Sequence, residues 1–253
     1  MAQPTTPGRV RPQDVGTRKP SPLVASTGSS TVLAEFNPED YLTRSSSYQT
    51  ESQLEEAFIT QLAKQGYEYR TDINDNETLK SNIRQQLEKI NNYTFSDNDW
   101  KRFYVGHVSR PGDGIVEKTR FIQDSDGRVD FETEDGQLVN ITLLDKENIH
   151  NNRLQVINQY KTDGTSTQGG RQSRKNRYDV TVLVNGLPMV HIELKKRGVE
   201  LKQAFNQINR YSRDSFWADD SLFEYVQLYV ISNGTRTKSV SYTHLTLPTT
   251  PYV

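Results

Sequence analysis

The chain has 253 residues, a formal net charge of −1 and no cysteine. These values exclude a disulfide framework and a thiolate site for zinc or iron–sulfur, and they argue against indiscriminate binding to nucleic acid. The sequence contains no apolar run long enough to span a bilayer and no secretory leader. We therefore expect a cytoplasmic protein without a membrane partner.

Residues 1–45 are predicted to form a disordered leader. The stretch Met1–Tyr41 holds six of the ten prolines, together with runs of Ser, Thr and Gly, and it lacks apolar periodicity. Order is expected from residue 46, and one folded domain is expected to extend to residue 239.

Helices are predicted directly after the leader. Thr50 and Gln53 form a capping-box pattern before a helix over Glu51–Lys64. A second amphipathic pattern predicts a helix near Glu77–Asn91, and Ser96–Asp99 resembles the cap of a third, short helix.

The stretch Pro111–Thr119 is interpreted as a loop before a strand. Its glycines approach two phosphate-binding patterns, but Glu117 stands where each pattern requires glycine. A carboxylate at that position would repel phosphate, so we predict no nucleotide site.

The centre of the chain is predicted to be rich in strands. A hairpin is expected from Val129–Thr133 and Gln137–Leu144, and a further strand from Arg153–Tyr160. Thr162–Gln172 is rich in Gly, Thr and Ser and is expected to be a loop, whereas Tyr225–Ser232 is expected to be the last strand. This order of elements predicts an α/β fold with a mixed sheet flanked by helices.

Two apolar, β-branched runs on either side of an Asn-Gly pair predict a second hairpin. The runs are Tyr178–Val184 and Met189–Leu194. We expect a three-residue loop that ends at Gly186, with φ > 0 at this glycine, and that pairs Leu183 with Leu187.

This register places charged residues together inside the hairpin. Asp179 and Glu193 would share a face, and strand alternation puts Lys195 beside Glu193. Two carboxylates about 4 Å apart repel by roughly 4 kcal/mol at an effective dielectric near 20. A hard divalent cation would remove this repulsion. The alternative is a salt-bridged end of a hairpin without further function.

The spacing D-x₁₃-E-x-K resembles the PD-(D/E)xK nuclease family, with Tyr178 where the family has proline. A helix predicted over Val199–Ser215 carries Gln207 and Tyr211, which resemble the Gln-x-x-x-Tyr motif of RecB-like nucleases and of the R subunit of type I restriction enzymes. Such a pair also occurs on ordinary solvated helix faces. The resemblance to the nuclease region of that R subunit runs from about Glu51 to Lys238 and includes NRYDVTVLVNGLPMVHIELKKRG, AFNQINRYSRDSF and LFEYVQLYVISNGT.

This resemblance implies a restriction-endonuclease-like fold and a Mg²⁺-dependent DNA endonuclease. Asp179 and Glu193 would hold the metal with the backbone carbonyl of Leu194, and Lys195 would orient the attacking water or neutralise the developing phosphorane. Gln207 and Tyr211 would support the DNA or the metal shell.

The family also suggests a role for Glu55. An early helix of such nucleases often carries a glutamate that leans towards the metal, and Glu55 matches this position best. The alternative is an ordinary exposed surface glutamate.

Basic residues surround the predicted site. Ten Lys and Arg residues and three acidic residues lie between Arg171 and Arg213, a local excess of seven positive charges. We interpret this cluster as a track for the phosphates of double-stranded DNA. The residues expected to contact the DNA backbone are Arg171, Arg174, Lys175, Arg177, Lys196, Arg197 and Arg210.

By the same resemblance, the intact enzyme would dock on methyltransferase (M) and specificity (S) subunits, and ATP would serve only its motor domains. We expect this chain to be a fragment without the motor, and residues 240–253 to be foreign adaptor sequence or a divergent terminus. Two alternatives stay open: a non-catalytic docking or DNA-binding module that acts only in the full complex, and a stand-alone RecB-like repair nuclease.

Overall fold

A computed structural model describes residues 50–161, 177–197 and 222–241, and the backbone of four short strands outside these ranges. Ala25–Thr27 pairs with Ser30–Val32, and Thr167–Gln168 pairs with Arg171–Gln172, each antiparallel. The predicted helix over Val199–Ser215 and most of the predicted leader and tail lie outside the described residues, so the structure does not test these three predictions.

The first three predicted helices are confirmed. Helix α1 spans Glu51–Lys64 and begins with the expected capping box, in which the Gln53 backbone N–H donates to Thr50 Oγ1 at 3.2 Å and the Thr50 N–H donates to Gln53 Oε1 at 3.0 Å. Helices α2 (Asn76–Asn91) and α3 (Asp97–Phe103) follow.

The chain continues from α3 into a π-helical turn, Tyr104–Val108, and then into helix α4, Ile115–Asp124. The prediction of a loop over Pro111–Thr119 was therefore wrong from Ile115 onward. The Gly114 N–H donates to Glu117 Oε2 at 3.0 Å and closes the first turn of α4. The carboxylate that argues against phosphate binding instead caps a helix.

Six strands form a mixed sheet, and two more form a separate hairpin. The bounds are β1 Glu68–Tyr69, β2 Arg128–Glu132, β3 Leu138–Thr142, β4 Leu154–Lys161, β5 Arg177–Val184, β6 Leu187–Leu194, β7 Leu228–Ser232 and β8 Thr237–Ser241. The sheet order is β8-β7-β6-β5-β4-β1. The β1–β4 and β6–β7 pairs are parallel, and the other pairs in this sheet are antiparallel.

Both predicted hairpins and the predicted strand at β4 are confirmed as elements, whereas two boundaries differ. The last predicted strand begins at Leu228 rather than Tyr225, because a short 3₁₀ turn occupies Leu222–Tyr225. Strand β8 follows it and continues to Ser241, two residues past the expected end of the domain. A second 3₁₀ turn, Ile149–Asn151, precedes β4.

The prediction of a three-residue loop in the β5–β6 hairpin was wrong. The turn has two residues, Asn185 with φ 51° and Gly186 with φ 85°, and Val184 pairs with Leu187. Positive φ at both central residues matches the right-handed twist of the strands and favours Asn-Gly.

A β-bulge in β6 compensates for the shorter turn. The register shifts between Pro188 and Val190, which leaves Met189 as an extra residue, and beyond it Ile192 pairs with Val180. One step further along this ladder, Glu193 lies opposite Asp179. The bulge therefore restores the parity on which the predicted carboxylate pair depends.

Two hydrophobic clusters flank the sheet. The smaller one joins α1 to the sheet through Ile59, Val180 and Ile192, and the larger one includes Ile83 of α2 and Phe103 of α3. The predicted α/β architecture, a mixed sheet flanked by helices, is confirmed and is compatible with a restriction-endonuclease-like fold. Within the described ranges, no helix combines the length and apolar character that a membrane crossing requires.

Candidate active site

Asp179 lies on β5 and bridges to the neighbouring strand. The Leu194 backbone N–H donates to Asp179 Oδ2 at 2.9 Å. Burial and the negative charge of Glu193 raise the pKa of Asp179 to about 7, although the Leu194 N–H and the Lys195 charge act in the opposite direction. The anionic form of Asp179 is therefore poorly compensated by the protein alone.

Glu193 is fully buried at the end of β6. Lys195 Nζ lies 2.7 Å from Glu193 Oε1, and His191 Nε2 lies 3.6 Å from Glu193 Oε2. In the described part of the chain, no hydrogen bond reaches Glu193 Oε2. One carboxylate oxygen is thus held by Lys195, and the other has coordination capacity left.

Lys195 stays a cation in this setting. Burial alone would lower its pKa, but the hydrogen bond to Glu193 and the charges of Glu193, Asp179 and Glu51 outweigh burial, so the pKa is raised. Lys195 can donate hydrogen bonds and positive charge at neutral pH, whereas it is unsuited to accept a proton there.

Glu55 is buried on α1, which excludes the alternative of an ordinary exposed glutamate. Asn158 Nδ2 donates to Glu55 Oε1 at 2.6 Å, and Gln159 Nε2 donates to Glu55 Oε2 at 2.6 Å. The charge of Glu55 is also one of the causes of the raised pKa of Asp179. The structure therefore brings Glu55 to the predicted site.

The donor set suits one hard divalent cation. Three carboxylates and one ammonium, from Glu55, Asp179, Glu193 and Lys195, leave a net charge of about −2 when all are ionised. No cluster of three or more His, Cys, Asp or Glu residues among the described residues is arranged to hold a metal by itself. Asp179 and Glu193 remain as a two-carboxylate set, which is sufficient for Mg²⁺ because this ion keeps several of its waters.

The predicted DNA-contacting residues are only partly described. Arg177 and Lys196 are exposed at the start of β5 and just after β6, and Arg197 is half-buried. The backbone of Arg171 lies in a short strand, and nothing is described of its side chain. The residues outside the described ranges are Arg174, Lys175, Gln207, Arg210 and Tyr211.

Sequence reasoning missed several residues at this site. Asn158 and Gln159 hold Glu55, and the Tyr69 hydroxyl donates to Asn158 Oδ1 at 2.9 Å. The Lys196 N–H donates to Glu51 Oε1 at 3.2 Å, which ties α1 to the end of β6. A signal existed for the first pair, because the polar residues Asn158 and Gln159 follow the apolar pair Val156 and Ile157 within one buried strand.

A separate cleft of about 380 Å³ lies beside the π-helical turn. Its lining includes His107, Arg110 and Arg120. The carboxylates of the predicted site, Glu55, Asp179 and Glu193, do not line it. Its charges are largely paired within the protein: Arg110 with Asp113 at 3.8 Å, and Glu117 with the Gly114 N–H.

The fold and the site together define a class of protein. A mixed sheet flanked by helices, with two carboxylates and a lysine at the end of one hairpin, is compatible with a restriction-endonuclease-like protein. Residues 48–244 match the family described as the type I restriction enzyme R protein N terminus. The chain belongs to this family.

Curated relatives carry consistent names. The chain is 47% identical over 215 residues to the type I restriction enzyme EcoprrI endonuclease subunit of Escherichia coli, covering 85% of this chain and 65% of that protein. It is 36% identical over 199 residues to the SsaAORF53P endonuclease subunit of Staphylococcus saprophyticus, covering 77% and 20%. A putative MjaIXP endonuclease subunit of Methanocaldococcus jannaschii is 27% identical over 202 residues, covering 73% and 18%. The chain thus spans just under two thirds of the first relative and about a fifth of the others.

Proposed function

We propose that this chain is the endonuclease region of a type I restriction enzyme R subunit and that it hydrolyses DNA phosphodiester bonds with Mg²⁺. The observation that carries the proposal is the convergence of Asp179, Glu193 and Lys195 at one end of the β5–β6 hairpin. The family and the names of the relatives support the same chemistry.

In this proposal Asp179 and Glu193 hold the cation, with the Leu194 carbonyl as a further ligand. Three observations support the assignment: the raised pKa of Asp179, the open Glu193 Oε2 and the excess negative charge. When bound, Mg²⁺ supplies a more acidic water and stabilises charge on the scissile phosphate.

The chain's own residues do the rest of the work around the reacting phosphate. Lys195, fixed by Glu193, either orients the attacking water or neutralises charge on the phosphorane, and its raised pKa favours these roles over that of a base. Glu55 adds negative charge near Asp179, which increases the attraction of the site for a cation. Gln207 and Tyr211 are proposed to support the DNA or the metal shell from the following helix.

The basic cluster is proposed to bind the phosphates of double-stranded DNA. Arg177 and Lys196 carry exposed side chains beside the acidic site, where they can neutralise backbone charge without filling the metal position. The same role is proposed for Arg171, Arg174, Lys175, Arg197 and Arg210.

The remaining proposals concern the whole protein. By its family, the intact R subunit is proposed to assemble with M and S subunits in the cytoplasm, with ATP used by motor domains that follow this region. The absence of cysteine is compatible with that reducing compartment. Residues 46–241 are proposed as the endonuclease domain, two residues longer than the predicted 46–239, because β8 continues to Ser241 and the family match to residue 244. Residues 1–45 are proposed as a leader.

The central experiment is Mg²⁺-dependent cleavage of unmethylated plasmid DNA by the R subunit assembled with its partners. Asp179→Ala and Glu193→Ala should abolish cleavage, because one carboxylate binds the hard cation weakly. Lys195→Ala should slow it by about 10²–10³-fold, the scale for losing one charge-stabilising donor. Asp135→Ala, at an exposed hairpin turn, is the matched control.

The outcomes separate the alternatives. Near-normal cleavage by the Asp179 or Glu193 variant would remove the nuclease assignment from these residues. Cleavage that proceeds without M and S subunits would favour a stand-alone repair nuclease. Cleavage lost from the isolated chain but present in the assembly would favour a module that is active only in the full complex.

A further inference from the structure

Gln159 has an unusual backbone in the middle of the sheet. Its φ is +55°, in the left-handed region that non-glycine residues seldom occupy and that costs free energy unless surrounding contacts hold it. The pairs Asn158–Val180 and Tyr160–Tyr178 stand on either side of it. Gln159 therefore lies opposite Asp179.

This backbone changes where two side chains go. In a regular strand, successive side chains point to opposite faces. Here Asn158 and Gln159 both reach the same carboxylate, one to each oxygen of Glu55, at 2.6 Å. The irregularity converts an alternating pair into a clamp on Glu55.

Both donors of the clamp are neutral amides. They orient the Glu55 carboxylate without cancelling its charge, whereas an Arg or Lys would cancel it. The Tyr69 hydroxyl donates to Asn158 Oδ1, which keeps the Asn158 nitrogen turned towards Glu55.

The orientation of the Gln159 amide is also informative. A carboxylate oxygen accepts hydrogen bonds, so the Gln159 nitrogen must face Glu55 Oε2. Gln159 Oε1 is then buried, and across the described ranges nothing donates a hydrogen bond to it. The Gln159 side chain thus keeps its hydrogen bond to Glu55 at the expense of a buried amide oxygen without a donor. This indicates that the contact with Glu55 determines the position of the side chain.

We propose that Gln159 is a positioning residue of the cation site: its left-handed backbone and its amide hold Glu55 beside Asp179 so that the charge of Glu55 acts on the bound divalent ion. The inference rests on the proposed function, since it assumes that Asp179 and Glu193 bind the ion. It assigns a role to a residue with no charge and no direct contact with the ion.

The test is calorimetric titration of the metal-free chain with Mn²⁺ as the probe for the hard-cation site. Glycine accepts the left-handed backbone without strain, so Gln159→Gly removes only the amide that holds Glu55 Oε2. The Mn²⁺ affinity should fall by about 10–100-fold, the usual effect of losing a group that orients a metal site. Asn92→Gly is the matched control, because Asn92 is also left-handed, with φ 46°, but caps the end of α2. It should leave the affinity unchanged.

A second variant guards against misfolding. Gln159→Asn also tolerates the left-handed backbone, but its amide is one methylene shorter. The same loss of affinity is expected, with a thermal unfolding transition like that of the parent chain.

A double-mutant cycle separates positioning from general stability. If Gln159 acts through Glu55, the Gln159→Gly change should cost little further affinity once Glu55→Gln is present. A merely structural role would reduce affinity equally in both backgrounds, and that result would overturn the proposal.

The parallel Asp179→Asn titration distinguishes the two levels of failure. If Asp179→Asn loses Mn²⁺ binding while both Gln159 variants bind like the parent, the positioning role is wrong and the proposed function stands. If Asp179→Asn binds Mn²⁺ as the parent does, the proposed cation site is wrong, and the positioning role of Gln159, which depends on that site, is wrong as well.

Discussion

Replacing Asp179 with asparagine should stabilise the metal-free protein at alkaline pH. Asp179 is largely buried beside Glu193, and both effects raise its pKa from 3.8 to about 7. Ionising this side chain therefore costs more free energy in the folded protein than in the unfolded chain, so ionisation destabilises the fold. Asparagine keeps an oxygen that can accept the Leu194 N–H and removes the charge.

The sign and size follow from the same pKa. Below about pH 4 the carboxyl is protonated in both states, and the cost is absent; it grows as pH rises and is complete above about pH 7. A difference of about three pH units at roughly 1.4 kcal/mol each sets a ceiling near 4 kcal/mol. Because partial exposure and relaxation reduce the effect, we expect Asp179→Asn to gain about 1–3 kcal/mol at pH 8 and much less at pH 5.

The assay is urea unfolding in EDTA at pH 5 and pH 8, followed by circular dichroism. Asp135→Asn, in an exposed turn, is the control and should change stability little at either pH. If Asp179 and Glu193 bind Mg²⁺ as proposed, excess Mg²⁺ at pH 8 should reverse the order, because only the parent chain would gain the full binding free energy. Equal stability of parent and Asp179→Asn in EDTA at pH 8 would refute the argument that this carboxylate lacks compensation.

Two further predictions concern the fold. Gly186→Ala should lower the free energy of unfolding by about 2–4 kcal/mol. At this position φ is +85°, and an added Cβ would lie 2.8 Å from Ile83 Cα. Gly136→Ala should lower it by only about 1 kcal/mol, because φ is +77° there but an added Cβ would meet no atom within 4 Å. Urea titration compares the two, and equal losses would contradict the close packing of the turn. Lys118→Met should cost about 3–5 kcal/mol by leaving Glu224 buried without its ammonium; adding Glu224→Leu should restore part of this in the same titration, and no restoration would contradict the ion-pair explanation.

Local signals predicted much of the fold. The capping box at Thr50 fixed the start of α1, because both of its hydrogen bonds lie within four residues. The Asn-Gly pair predicted the β5–β6 hairpin, and the spacing of charged residues predicted that Asp179, Glu193 and Lys195 would meet.

The errors arose where tertiary contacts override local patterns. Helix α4 follows a stretch rich in glycine and proline, and its buried positions are decided by packing against the Leu222–Tyr225 turn rather than by a long amphipathic repeat. The Met189 bulge has no marker of its own beyond the neighbouring proline. The left-handed Gln159 depends on Glu55, which lies 104 residues earlier in the chain.

The bulge at Met189 turns the length of the β5–β6 hairpin into a constraint on sequence change. Thirteen residues separate Asp179 from Glu193, and three of them, two in the turn and one in the bulge, have no partner across the ladder. Deleting Met189 alone would remove the bulge and leave Glu193 opposite Asp179, because this residue has no partner across the ladder. Inserting one residue into the paired part of β6, in contrast, would turn Glu193 to the opposite face unless a second bulge formed. The constraint is therefore one-sided: the hairpin should tolerate the loss of the bulge residue better than the gain of a single residue in the ladder.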